Sequence, residues 1–268
     1  MQQTARAFLA SGGMSNEPAH FRVMDKLASA GLFRKGLVLV GSHAFVALGN
    51  ALGVSWGSHI RTTDMDLARS QTIALAVPDD TGETLQALEE AKKVDASFFL
   101  VPELNPREPS STIMSRRSKV KLDFLTVKKG RDTTGTKYFS DIGIAATPLK
   151  YMDYLLAGPT FKGLIVGNYA IPITLPDPAR FAIHKLIIAQ ERVRDRDVKA
   201  IKDIEQANAV LQALVELGRD ADIEEALECS RTWSGAMKNI KTSLGMRRGL
   251  SEDIQQRLKQ FTGRTKRP

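Results

Sequence analysis

Leu37-Val38-Leu39-Val40 is a continuous apolar run, and Gly41-Ser42 ends it at once. A run that is apolar at every position suits a strand covered on both faces. Ala44 to Leu52 then suits a helix, closed by Gly53. A strand that passes through Gly-Ser into a helix aims backbone N–H groups and a hydroxyl at an anion. Glycine also permits the close approach that a phosphate requires. Standing alone, Gly-Ser is an ordinary tight turn, so the meaning of Gly41 and Ser42 depends on what the rest of the sheet brings to them.

Asp64-Met65-Asp66-Leu67 alternates acidic and apolar residues. On a strand, residues two apart point to the same face. Asp64 and Asp66 then share one face about 6–7 Å apart along the strand, while Met65 and Leu67 bury the other. Val120-Lys121-Leu122-Asp123-Phe124-Leu125 is a second apolar strand carrying one acid. If the two strands are neighbours, three carboxylates meet, an arrangement that is costly without a neutralising cation. A divalent metal held by Asp64, Asp66 and Asp123 resolves that cost. An isolated Asp-x-Asp is more often a pair of solvated carboxylates; the third acid changes the odds.

Elsewhere, helical spacing marks residues 17–34, and 84–93 reads as an exposed helix. Residues 97–101 and 118–127 read as strands separated by a Pro- and Ser-rich loop, 102–117, that carries Arg116-Arg117. A βαβ opening followed by antiparallel strands predicts a mixed α/β sheet. Pro148-Leu149 is expected to open a helix through Leu156, and a short strand pair is expected over 163–174. In Pro176-Asp177-Pro178, Asp177 is a good N-cap and Pro178 sits at the first helical position. A helix follows to about Val193. Another, about 196–217, has Val198, Ile201, Ile204, Ala207, Leu211 and Leu214 on one face and stops at Gly218. Shorter helices complete the chain. The expected domains are 1–160 and a mainly helical 161–268, with the boundary falling between 150 and 176.

The net charge of +8 is concentrated late: Met246 to Pro268 holds seven Lys/Arg against Glu252 and Asp253. Such a tail suits a polyanion, nucleic acid above all, or simply a solvated surface. The single cysteine, Cys229, excludes an internal disulfide framework, fits a reducing cytoplasm and reads as an ordinary half-buried helical residue. No segment has the length or apolarity of a membrane span, and the N-terminus makes a poor secretory signal. No GxGxxG, GxxxxGK[ST] or HExxH is present, so dinucleotide, P-loop and zinc-protease readings have no motif behind them.

The combination LVLVGSHAF, TTDMDLA and KLDFLT resembles the DNA polymerase β superfamily of nucleotidyltransferases. That superfamily carries an apolar strand, Gly-Gly/Ser, a helix, then Asp-x-Asp and a third Asp on later strands. The stretch from Ser42 to Asp64 is longer than in minimal members. Further segments, Ala146-Thr147-Pro148-Leu149, PARFAIHKL (178–186) and KDIEQA (202–207), are similar to a bacterial family named only for its nucleotidyltransferase fold. Abortive-infection-type toxins with this core share a comparable lysine-bearing helix. The resemblance spans roughly 20–217. It implies an α/β (α+β) fold: a polymerase β-like mixed sheet with flanking helices, followed by an α-helical C-terminal domain.

The resemblance also implies roles. Asp64 and Asp66 hold Mg²⁺ or Mn²⁺. Asp123 helps hold the catalytic metal and takes the proton of the attacking hydroxyl. Gly41 and Ser42 grip the terminal phosphates of an NTP such as ATP, and Lys185 reaches the triphosphate. Lys185 also suits a side chain that merely snorkels over Phe181. Arg180, Arg192 and Arg194 are further phosphate candidates, and each is also an ordinary surface ion-pair residue. Lys199 and Lys202 read the same way. His43 can touch a nucleotide or serve the turn; His184 suits packing between domains. Phe45, Trp56 and Tyr151 can stack on a base, although core packing is the commoner use.

The expected activity is transfer of a nucleoside monophosphate from an NTP to an acceptor hydroxyl. RNA, with a tRNA end as one case, is the preferred acceptor, and a toxin or defence role follows by likeness. The rival readings are nucleotidylation of a protein or small molecule, and a catalytically silent nucleic-acid-binding module.

Overall fold

A computed structural model describes residues 2–56, 64–70, 85–130, 135–192, 198–246 and 249–263. Helices α1 (Gln2–Ala10) and α2 (Pro18–Ser29) precede strand β1 (Val38–Val40), which runs directly into α3 (Gly41–Leu52). Gly53 closes α3 at φ 73°, the left-handed conformation that a glycine adopts without penalty. Then come β2 (Asp64–Arg69), α4 (Ala87–Lys92), β3 (Phe98–Leu100), β4 (Thr112–Ser115), β5 (Lys121–Val127), β6 (Lys137–Phe139), β7 (Ile144–Leu149) and α5 (Met152–Leu156). The hairpin β8 (Thr160–Val166) and β9 (Ala170–Pro176) follows.

Among the described residues, seven strands form one mixed sheet in the order β1-β2-β5-β4-β3, with β7 also pairing β5, and β6 pairing β7. β5 is the hub. It runs parallel to β2 along its length, antiparallel to β4 near its start and parallel to β7 near its end. One face of this centre is mainly apolar, with buried Arg69, Ser115 and Thr126 at its margins. Leu39, Met65, Leu67, Ile113, Leu122 and Phe124 are all buried, and the register aligns Leu39 with Leu67 and Phe124, and Met65 with Leu122 and Ile113. Burial at about 25 cal/mol per Å² makes this layer the anchor of the sheet. The opposite face is therefore the one that presents Asp64, Asp66 and Asp123.

Three expectations need correction. β1 and β2 are antiparallel neighbours, so β1-α3-β2 is not a parallel βαβ unit. β1 ends and β2 begins at the same end of the sheet, where Val40 pairs with Asp66. The segment 102–117 is not all loop, because β4 lies within it. Its Thr and Ser content hid a strand whose Ile113 pairs with buried Leu122. Pro148 ends β7 instead of opening a helix. It falls beyond the stretch that β6 pairs, a place where a strand tolerates a residue without an N–H.

The chain divides into two compact units, 1–156 with 160–175, and 157–159 with 176–268. The hairpin thus groups with the first unit. The second is helical: α6 (Pro178–Ala189), α7 (Val198–Glu216), α8 (Asp220–Ser230), α9 (Ala236–Leu244) and α10 (Glu252–Gly263). The Asp177 carboxylate caps α6 by accepting from the Arg180 N–H at 3.0 Å, with Pro178 in the first turn. α6 is buried nearly all round, as a helix packed against α7, α8 and α9 must be. On α7, Ile204, Ala207, Leu211 and Leu214 face that core, whereas Val198 at its start is exposed.

Candidate active site

The site is set by register. Val40 is the cross-strand partner of Asp66, and Asp66 is the partner of Asp123. Asp64 in turn faces Lys121, and Thr112 of β4 faces Asp123. Cross-strand partners share a face, so Asp64, Asp66, Lys121, Asp123 and Thr112 project from one side of the sheet. Adjacent strands lie about 4.8 Å apart, which brings the Asp66 and Asp123 backbones side by side. Asp64 is exposed, while Asp66 and Asp123 are half-buried.

Gly41 closes the site on the β1 side. It sits at φ 68°, and a Cβ placed there would lie 2.0 Å from Asp66 Oδ2. No side chain fits between this turn and the carboxylate. The strand ending and the glycine bring backbone close to the Asp66 carboxylate. Ser42 follows in the first turn of α3, whose N-terminus carries the partial positive charge of the helix dipole.

On the β5 side, Asp123 is held at both oxygens. Thr112 Oγ1 donates to Oδ1 at 2.6 Å, and Lys121 Nζ donates to Oδ2 at 2.7 Å. Burial pulls the Lys121 pKa down, but the hydrogen bond to Asp123 and the charges of Asp123, Asp64 and Asp66 outweigh it. The ammonium is held above the ordinary lysine value. Lys121 thus brings an ammonium against Asp123 within the field of Asp64 and Asp66. Among the described residues, no group of three or more His, Cys, Asp or Glu side chains is placed so that it could hold a metal ion. Carboxylate oxygens on adjacent strands are the donor type that hard divalent cations take. Lys121 and Thr112 were not singled out from sequence. Lys121 was within reach, since a residue two before Asp123 shares its face; Thr112 was hidden with its strand.

Lys185, Arg180 and Arg192 belong to the second unit. Lys185 is buried and donates to Asp203 Oδ1 at 2.7 Å; Arg192 Nε reaches Oδ2 of the same acid at 2.6 Å. Burial raises the Asp203 pKa, but the two cations outweigh it and hold the carboxyl below its usual range. His184 beside them is pushed down to about 3, first by burial and then by the charge of Lys185. Lys185 and Arg192 are thus engaged in an ion-pair cluster within the second unit. Arg180 is buried there too, packed against Gly158. Arg194 lies outside the described residues, as do Arg247, Arg248, Arg264, Lys266 and Arg267. Arg257 of the basic tail is paired with Asp220 and Asp253.

Phe45 and Trp56 stack on each other at 4.8 Å, and the Trp56 indole donates to the Phe45 carbonyl at 2.7 Å, so both rings are used internally. Tyr151 is buried with Lys150 over its ring. His43 is buried against His20, ring to ring at 4.8 Å, and lies 3.2 Å from the Asn16 amide. It braces the start of α3 from behind. Among the described residues, no helix is long and apolar enough to cross a membrane.

No curated protein matches the chain. A family model described as nucleotidyltransferase matches residues 19–230, a span that contains Gly41, Asp64, Asp66, Lys121 and Asp123 and continues through the helices α6 and α7. On that match over most of its length, the chain belongs to this nucleotidyltransferase family.

Proposed function

We propose that the chain is a metal-dependent nucleotidyltransferase of the polymerase β type, moving a nucleoside monophosphate from an NTP to an acceptor hydroxyl. The observation that carries this reading is the register that sets Asp66 between Val40 and Asp123, with Gly41 pressed against its carboxylate. Asp64, Asp66 and Asp123 would hold Mg²⁺ or Mn²⁺. Such ions, when bound, neutralise the phosphates and favour deprotonation of the attacking hydroxyl. Gly41, Ser42 and the N-terminus of α3 receive the terminal phosphates. Asp123 accepts the acceptor's proton, and Lys121 supplies positive charge beside the reacting phosphate. The acceptor oxygen bonds to the α-phosphorus, and the bond to pyrophosphate breaks.

RNA is the preferred acceptor, supported by the net charge of +8. A tRNA end, and with it a toxin or defence role, extends this reading by likeness to toxin-type members. The test is incubation with Mg²⁺, total RNA and each α-³²P-labelled NTP in turn, beside the double variant Asp64→Ala/Asp66→Ala. Label in RNA with the wild type only supports the reading and names the nucleotide. Label in a protein band moves the acceptor to a protein hydroxyl. Equal labelling by the variant removes the carboxylates from the chemistry.

A further inference from the structure

The register continues past the carboxylates. Asp64 faces Lys121, Lys121 faces Met114, and Met114 faces Phe99. These residues form one row on the acidic face, crossing from β2 to the edge strand β3 in three inter-strand steps, roughly 14 Å. At the far end, the Arg116 guanidinium lies 4.8 Å from the centre of the Phe99 ring. Arg116 belongs to the turn joining β4 to β5, where Arg116, Arg117, Ser118 and Lys119 are all exposed. Among the described residues, no carboxylate stands within ion-pair distance of these three cations.

The turn is built, not loose. Ser115 Oγ accepts from the N–H groups of Arg117 at 3.1 Å and Ser118 at 2.8 Å, and donates to Asp95 Oδ2 at 2.6 Å. Ser97 Oγ also accepts from Arg117 N–H. These bonds, Ser115's first, hold the Asp95 carboxyl below its usual range. Lys119 adopts φ 61°, a conformation rare for a residue with a side chain. The basic tip is thus fixed by a hydrogen-bonded hub beneath it, and its side chains are exposed.

We infer that this row and turn form the track for a single-stranded polynucleotide acceptor, whose 3′ end enters over Lys121 toward Asp123. The chemistry is that of single-strand binding: cations for successive phosphates, and an aromatic and a guanidinium plane on which bases stack. Position supports it. Across the sheet, the carboxylates lie between β1, which Gly41 follows, and this turn beyond β5. The triphosphate and the acceptor then approach the metal site from opposite sides, as in-line displacement requires. The inference rests on the nucleotidyltransferase reading for the direction of the 3′ end, but the binding itself does not.

The test uses the full chain and a fluorescein-labelled oligouridylate, with anisotropy followed against NaCl concentration. Arg116→Ala/Arg117→Ala is expected to weaken binding about tenfold at low salt and to lower the slope of log K against log salt by about 1.4, since each lost single-strand phosphate contact removes about 0.7. Arg116→Lys/Arg117→Lys should keep the slope while losing part of the affinity, because charge remains and stacking does not. Phe99→Ala should weaken binding with the slope unchanged. Binding of a fluorescent ATP analogue and the melting temperature should stay as in the wild type for the double alanine variant.

Unchanged oligouridylate binding in that variant overturns the proposal. So does loss of the ATP analogue in its place, which would make the turn a triphosphate grip. Competition by poly-glutamate equal to that by the oligonucleotide also overturns it, in favour of an acidic protein. The double variant Asp64→Ala/Asp66→Ala should bind the oligonucleotide normally. If it also transfers label normally, the catalytic reading fails while the track stands.

Discussion

Two clusters of charge, one in each unit, show how similar residues serve different ends. On the sheet, Asp64, Asp66 and Asp123 share one ammonium, and the group lies half-open. In the helical unit, Lys185 and Arg192 share the buried Asp203. The first cluster lies where solvent or a ligand can reach it. The second has its single acid fully engaged, and both Lys185 and Asp203 are closed off. Accessible carboxylates offer the oxygen donors that a divalent cation takes. A closed cluster of that kind fixes helices in place and is costly to break. Lysine and arginine on a nucleotidyltransferase helix are therefore not phosphate ligands by type alone; their partner decides.

The largest effect should separate the clusters cleanly. Asp64→Ala/Asp66→Ala is expected to lower nucleotide transfer about a thousandfold or more, since metal-based charge stabilisation supplies several kcal/mol of the barrier. Its melting temperature should hold or rise as carboxylate repulsion is relieved. A large loss of stability would mean that the sheet cluster is structural after all. Asp203→Asn is expected to do the reverse. It leaves two cations without their acid and should cost about 3–5 kcal/mol in a denaturant titration. If stability is kept and only transfer falls, the helical cluster belongs to the chemistry.

Gly41→Ala sharpens the account of the sheet side. The new Cβ would collide with Asp66 Oδ2, and φ 68° adds strain of about 1–3 kcal/mol. Transfer should fall about a hundredfold, read as kcat together with Mn²⁺ binding. The smallest effect concerns His184, held at about 3 against an ordinary 6.5. The unfolded chain binds the proton first, so this group contributes stability above about pH 6.5 that is lost as the pH falls toward 3. The slope is at most about 1.36 kcal/mol per pH unit. In His184→Gln, the fall in melting temperature between pH 6.5 and 4 should flatten. Asp203 acts in the same direction, but only below the ordinary aspartate value of 3.8.

Much of this arrangement was legible in the sequence, for local reasons. The apolar run ending in Gly41-Ser42, the alternation of Asp64 to Leu67 and the Asp177-Pro178 start of α6 are each written within a few residues, and each appears as a strand, turn or cap where expected. Period-2 spacing alone places Asp64 with Asp66 and buries Met65 and Leu67. Tertiary structure decided what lies between segments distant in the chain. The antiparallel pairing of β1 with β2, the strand hidden at Thr112 to Ser115, and the neighbours of Asp123 are matters of register, and register is set by which apolar faces find each other. The fate of Lys185 was decided the same way: its chemistry is the same in any environment, and only the fold placed Asp203 within 2.7 Å of it.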